Sequence, residues 1–171
     1  MVEPTVEMFK LGEAVFLEGV KKLKEYKEMD FLHNRGAMII KKRLAVVEFV
    51  HGLELILKAV MIKKGFLIYT IENKGINRKD VRINELINKE KTIGLSDVIS
   101  FFKKEYPDLP FDTVEKLRKL RNQIIHRGTE ISEKKTEYFI GAIDSLTGLY
   151  NNENINHRKF LREIEEAKLQ I

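Results

Sequence analysis

The sequence predicts an all-α fold, and three observations carry that expectation. Only three prolines interrupt the 171 residues, Pro4 at the edge and Pro107 and Pro110 around one loop, so long helices are permitted nearly everywhere. Apolar residues recur at three- and four-residue steps over most of the chain, the spacing of one face of a helix. A composition of 43% apolar and 33% charged residues supplies both a core and a charged, solvated coat. At this length one compact unit is expected, so residues 1–171 are read as a single domain, an up-and-down bundle of about five helices.

Each element follows from its own signals. From Thr5 to about Tyr26, Phe9, Leu11, Val15, Phe16, Val20 and Leu23 define an amphipathic helix. After a break at Asp30 to Gly36, a more apolar helix runs to about Lys64 through Leu44, Val47, Val50, Leu53, Leu57, Val60 and Met61, and Gly65 stops it. Its nearly all-round apolarity from Leu53 to Ile62 predicts the most buried helix. Residues 66–94 carry mixed signals: a β-prone run from Phe66 to Ile71, a turn at Asn73-Lys74-Gly75, and Asp80 as a cap for a short helix through Leu86 and Ile87. Ser96 is read as the cap of a short helix to about Tyr106, closed by the Pro107-Asp108-Leu109-Pro110 loop. Asp112 is read as the cap of a helix from Thr113 to Arg127, ended by Gly128. A last long helix starts near Ser132 with Tyr138, Phe139, Ala142, Ile143, Leu146 and Leu149 on one face. The asparagines at 151, 152, 154 and 156 break it, and residues 151–171 can form a separate helix.

Composition also excludes functions. With no cysteine there is no disulfide framework, no thiol nucleophile and no Cys-held zinc, which fits a reducing compartment, and cytoplasm is the expected location. The acids near the start do not make a signal peptide, and Glu54 and Lys58 interrupt the most apolar run, so no membrane span is expected. The ten glycines match neither phosphate-loop nor dinucleotide spacing. His33, His51, His126 and His157 lie too far apart for a local metal-binding pair, so neither metal nor cofactor is expected.

The net charge of +5 is uneven. Residues 36–128 hold 19 Lys/Arg against 11 Asp/Glu, and Lys116, Arg118, Lys119, Arg121 and Arg127 follow one another with no acid between Glu115 and Glu130. Such a density attracts phosphates, and it also suits a plain solvated helix face. On a helical wheel Val114, Leu117, Leu120, Ile124 and Ile125 define a core face, and Arg121 falls roughly 30° from its centre. A guanidinium placed in an apolar seam needs a partner or a ligand. Asn122 and His126 stack one turn apart, on a side pointing away from the core. Three arrangements bring the arginine and imidazole together: a distorted helix end near Gly128, a curled Arg121 side chain, or a second copy about a two-fold axis. The plainer alternative is a snorkelling arginine and a histidine favourably placed at a helix C-terminus.

The run Arg121-Asn122-x3-His126, at the end of a helix in a small all-α domain, resembles the Arg-x4-6-His motif of the HEPN superfamily, where a polar residue, often Asn, commonly follows the arginine. Gly52-Leu53-Glu54-Leu55-Ile56-Leu57-Lys58-Ala59 resembles the Glu-bearing second helix of many such domains, and Lys91-Thr92-Ile93-Gly94-Leu95 the lead-in to their third. The resemblance spans roughly residues 36–150. It implies metal-independent RNA cleavage by a homodimer, in a toxin of a toxin–antitoxin or phage-defence system with an antitoxin protein as a further partner, or, in degenerate members, a silent module binding a nucleotide or protein. Under it His126 is the base or acid, Arg121 the charge stabiliser and Asn122 the positioning group. Lys116, Arg118, Lys119 and Arg127 would hold RNA. Glu54 would support Arg121 from behind, although a Glu54–Lys58 pair on one helix face is an equal alternative. Members paired with a nucleotidyltransferase antitoxin often carry a tyrosine two residues after the histidine. Arg127 and Gly128 follow here, which argues against that partner.

Overall fold

In the computed structural model, residues 4–29, 31–66, 92–127 and 136–170 are described, with side chains for 5–29, 35–66, 92–126 and 136–170. They form six helices: α1 (Pro4–Glu28), α2 (Phe31–Lys63), α3 (Leu95–Glu105), α4 (Phe111–Arg127), α5 (Thr136–Asn152) and α6 (Arg158–Lys168). The all-α bundle is as expected, and the tail does form a separate helix. No strand occurs among the described residues, and none of their helices is long and apolar enough to cross a membrane. The strand, turn and helix expected within residues 67–91 lie outside the described residues, as does the expected start of the last helix near Ser132.

Helices α1 and α2 form an antiparallel hairpin whose faces meet through glycine. A Cβ on Gly19 would sit 2.5 Å from the Phe49 nitrogen, and one on Gly52 2.3 Å from the Phe16 nitrogen, so the two backbones touch where side chains normally intervene. Phe16 and Phe49 then pack at 4.1 Å between ring centroids. This close approach corrects the phase expected for α1: Leu11 is 56% exposed while Gly12 faces Ile56. Helix α2 starts at Phe31, so the expected break does not extend through Gly36, which is an exposed helical residue with nothing among the described residues within 4 Å of an added Cβ. The C-terminal half is buried as expected, with Leu53, Ile56, Leu57, Ala59 and Val60 fully enclosed. Gly65, at φ 82°, ends it; its own N–H bonds Ile62 O and that of Phe66 bonds Met61 O, satisfying the last carbonyls.

Two capping expectations fail. Gly94, not Ser96, occupies the α3 N-cap, with no side-chain cap bond, and Ser96 lies in the first turn, where its carbonyl accepts from Ser100 Oγ. Helix α4 begins at Phe111, so Asp112 is already helical, and its carboxylate pairs with Lys103 of α3. Thr113 returns its hydroxyl to Pro110 O at 2.6 Å.

The remaining contacts set the topology. Gly141 of α5 faces Thr113 and Gly148 faces Leu109, so α4 and α5 run antiparallel. Phe139 meets Phe49 at 5.1 Å and Glu153 meets Lys64 at 2.7 Å, so α5 runs parallel to α2. It follows that the C-terminal end of α4 lies at the end of the bundle where α1 finishes and α2 begins. Helix α6 folds back antiparallel to α5, through Thr147–Glu165 at 2.8 Å and a Lys168–Asp144 ion pair.

Candidate functional site

On α4, Val114, Leu117, Leu120 and Ile124 turn into the core as expected, but Ile125 does not: it is 52% exposed. Without it the core direction shifts, placing Arg121 roughly 50° from the centre, at the edge of the buried face. Arg121 is half-buried, and its Nε is buried with no hydrogen-bond partner among the described residues. A buried donor without an acceptor carries a desolvation cost of about 1–3 kcal/mol, more for a charged group.

Asn122 is half-buried and His126 exposed, near each other on the outer side of the helix. At about 100° per residue, Arg121 and His126 diverge by roughly 140°. Within one chain this helix does not bring them together.

Glu54 does not stand behind Arg121, which corrects that expectation. Its carboxylate is taken by Lys58 Nζ at 2.6 Å, and the same ammonium donates to Thr92 Oγ1 at 2.9 Å. Lys58 is 6% exposed, and a buried ammonium requires such partners. Arg118 likewise is not an open phosphate contact. Its Nε and one terminal nitrogen each donate to Glu115 at 2.8 Å, a bidentate pair that raises the guanidinium pKa and lowers the carboxyl's. Lys119 is exposed and lies 3.8 Å from Glu115, and Lys116 sits 5.1 Å over the Tyr138 ring. The side chain of Arg127 lies outside the described ones. Among the described side chains the exposed cations of α4 are therefore Lys116 and Lys119, which at about 100° per residue lie roughly 140° and 160° from Arg121.

A second cluster escaped the sequence reading. Glu13 Oε1 of α1 accepts from the Tyr150 hydroxyl at 2.8 Å and lies 2.5 Å from His157 Nδ1. Tyr150 is fully buried, and burial with the adjacent carboxylate pushes its phenol far up. Its members come from three helix regions up to 144 residues apart, so no local pattern announces them. Among the described residues no group of three His, Cys, Asp or Glu is placed to hold a metal ion.

Fold and site together define an all-α bundle protein with a basic helix that carries, at the core edge, an arginine whose buried Nε has no acceptor among the described residues. A family model described as "Domain of unknown function (DUF3644)" matches residues 31–164, from the first residue of α2 into α6, and the chain belongs to that family. No curated protein and no solved structure matches it.

Proposed function

We propose that this protein is a metal-independent endoribonuclease of the HEPN type, acting as a homodimer, and that it serves as the toxin of a toxin–antitoxin or phage-defence system. The observation that carries the reading is the buried Nε of Arg121, which has no acceptor among the described residues, one residue before Asn122 and five before an exposed His126. A phosphate oxygen is the kind of acceptor such a guanidinium takes. A neutral His126 imidazole can remove the proton from a ribose 2′-hydroxyl, and Arg121 can hold the charge that develops as that oxygen attacks the adjacent phosphodiester. The products are a 2′,3′-cyclic phosphate and a 5′-hydroxyl end. Because Arg121 and His126 diverge on one helix, the reading needs a second copy whose α4 faces the first, each chain completing the other's site.

The same divergence favours a second reading, a catalytically silent module that binds a nucleotide or a protein partner. Cleavage of total RNA by the purified protein, with and without EDTA, separates the two. The nuclease reading expects cleavage that EDTA leaves unchanged, an all-2′-deoxy substrate that resists, and a loss of about 10²- to 10⁴-fold in rate for His126→Ala. Lys119→Ala should weaken RNA binding in a salt-dependent way without removing catalysis. A His126→Ala protein cutting at the wild-type rate would assign the activity to other residues or to a contaminant and remove His126 as its catalyst; in the case of a contaminant the silent-module reading takes over.

A further inference from the structure

A groove of about 480 Å³ lies between α1 and the start of α6, well away from the end of α4. Leu17 and Phe160 line it with apolar surface, and Glu13, His157, Arg158 and Lys159 line it with charge and imidazole. That combination, a concave apolar surface with a few convergent polar groups, is the usual build of a small-molecule site.

The charges around the groove are unequally answered. Glu13 has the Tyr150 hydroxyl and His157 Nδ1. Glu163 has Lys159 at 3.8 Å. Arg158 has only Asn156 Oδ1, at 3.1 Å from its Nε, so its terminal nitrogens face no anion among the described residues. The imidazole is held in place as well: Nδ1 is committed to the carboxylate, and Phe9 and Tyr150 pack edge-on against the ring at 5.5 and 5.9 Å. Fixing one ring nitrogen fixes the direction of the other, which becomes a donor when the ring is protonated. An oriented imidazole beside an open guanidinium suits a tetrahedral oxyanion, and the neighbouring Leu17 and Phe160 suit an apolar body attached to it.

We propose that this groove binds a small phosphate monoester with an apolar body, the phosphate on Arg158 and the Nε2 edge of His157 and the body against Leu17 and Phe160. Glu13 acts as a positioning residue that aims the ring. The site is separate from α4 and stands whether or not the chain cleaves RNA.

Calorimetric titration of the full chain with phenyl phosphate, inorganic phosphate and phenol tests it. Phenyl phosphate should bind most tightly of the three, since it alone engages both halves of the groove. Arg158→Ala, at an exposed position, should keep the wild-type melting temperature and lose about 10- to 100-fold in affinity, the range of one hydrogen-bonded charge. Glu13→Gln should shift the nitrogen resonances of His157 and lower affinity, a spectroscopic change that loss of packing alone does not produce. Lys104→Ala, an exposed cation on α3, should bind as the wild type does. Inorganic phosphate or phenol binding as tightly as phenyl phosphate, no binding of phenyl phosphate at millimolar concentration, or undiminished binding by Arg158→Ala would each overturn the proposal.

Discussion

Two glycines on α2 should respond to the same substitution with opposite signs. In Gly52→Ala the new methyl would lie 2.3 Å from the Phe16 nitrogen, 2.6 Å from its Cα and 2.7 Å from Gly12 O, all more than half an ångström inside ordinary contact. These are backbone atoms of a packed helix, so no side-chain rotation relieves the clash, and α1 must move as a body. Overpacking of this kind costs about 1–3 kcal/mol, with the upper end appropriate to a backbone obstacle. Alanine's better helix propensity returns about 1 kcal/mol, which leaves a net loss of about 2 kcal/mol. For a chain of this size that lowers the melting temperature by roughly 4–8 °C. Gly36→Ala keeps the propensity gain without the clash, because nothing among the described residues lies within 4 Å of the added methyl, and should raise the melting temperature by roughly 2–4 °C. Thermal melts followed by far-ultraviolet circular dichroism measure both. A Gly52→Ala protein melting at or above wild type would refute the close α1–α2 contact.

Other expectations follow from the ion pairs and from the assembly. Glu54→Gln should destabilise the fold by about 1–3 kcal/mol in urea titrations by weakening the hold on the buried Lys58. Glu54→Gln combined with Lys58→Met should recover most of that loss, and additive losses would show that the pair is not coupled. Burial raises the Glu153 carboxyl, but the bonds from Lys64 and Tyr106 outweigh it and hold it below the ordinary glutamate value. A depressed folded-state pKa means the unfolded chain binds more protons, so this contribution is present above pH about 4.3 and is lost as pH falls through the folded value. Glu153→Gln should therefore flatten the acid limb of the stability–pH curve, and an unchanged limb would sink the assignment. If two α4 helices complete each other's site, light scattering at micromolar concentration should return the mass of a dimer; a monomer would count against the shared site.

The helices were legible in the sequence because each is written in a local period. The apolar repeat of α1, the all-round apolarity of α2 and the core positions Val114, Leu117, Leu120 and Ile124 of α4 need only the 3.6-residue turn to be read. Gly65 was legible for a similar reason, since a helix stop needs a residue at positive φ and only the immediate neighbours matter. The Arg121-Asn122-x3-His126 run was visible too, along with the divergence of its arginine and histidine, which follows from residue number alone.

Tertiary packing decided what local spacing leaves open. Leu11 reads as a core-facing position from its local spacing, but the backbone contact at Gly52 turns Gly12 inward and Leu11 outward. Ser96 and Asp112 both have cap chemistry, yet Asp112 is drawn to Lys103 of the neighbouring helix, and Gly94 takes the cap position before α3. Glu54 had two cations within plausible reach, and the enclosure of Lys58 made that ammonium the one needing a carboxylate. The Glu13–Tyr150–His157 cluster had no local signature at all. Its geometry exists only because α6 folds back along α5 onto α1, which joins residues whose separation in sequence carries no information about their distance in space.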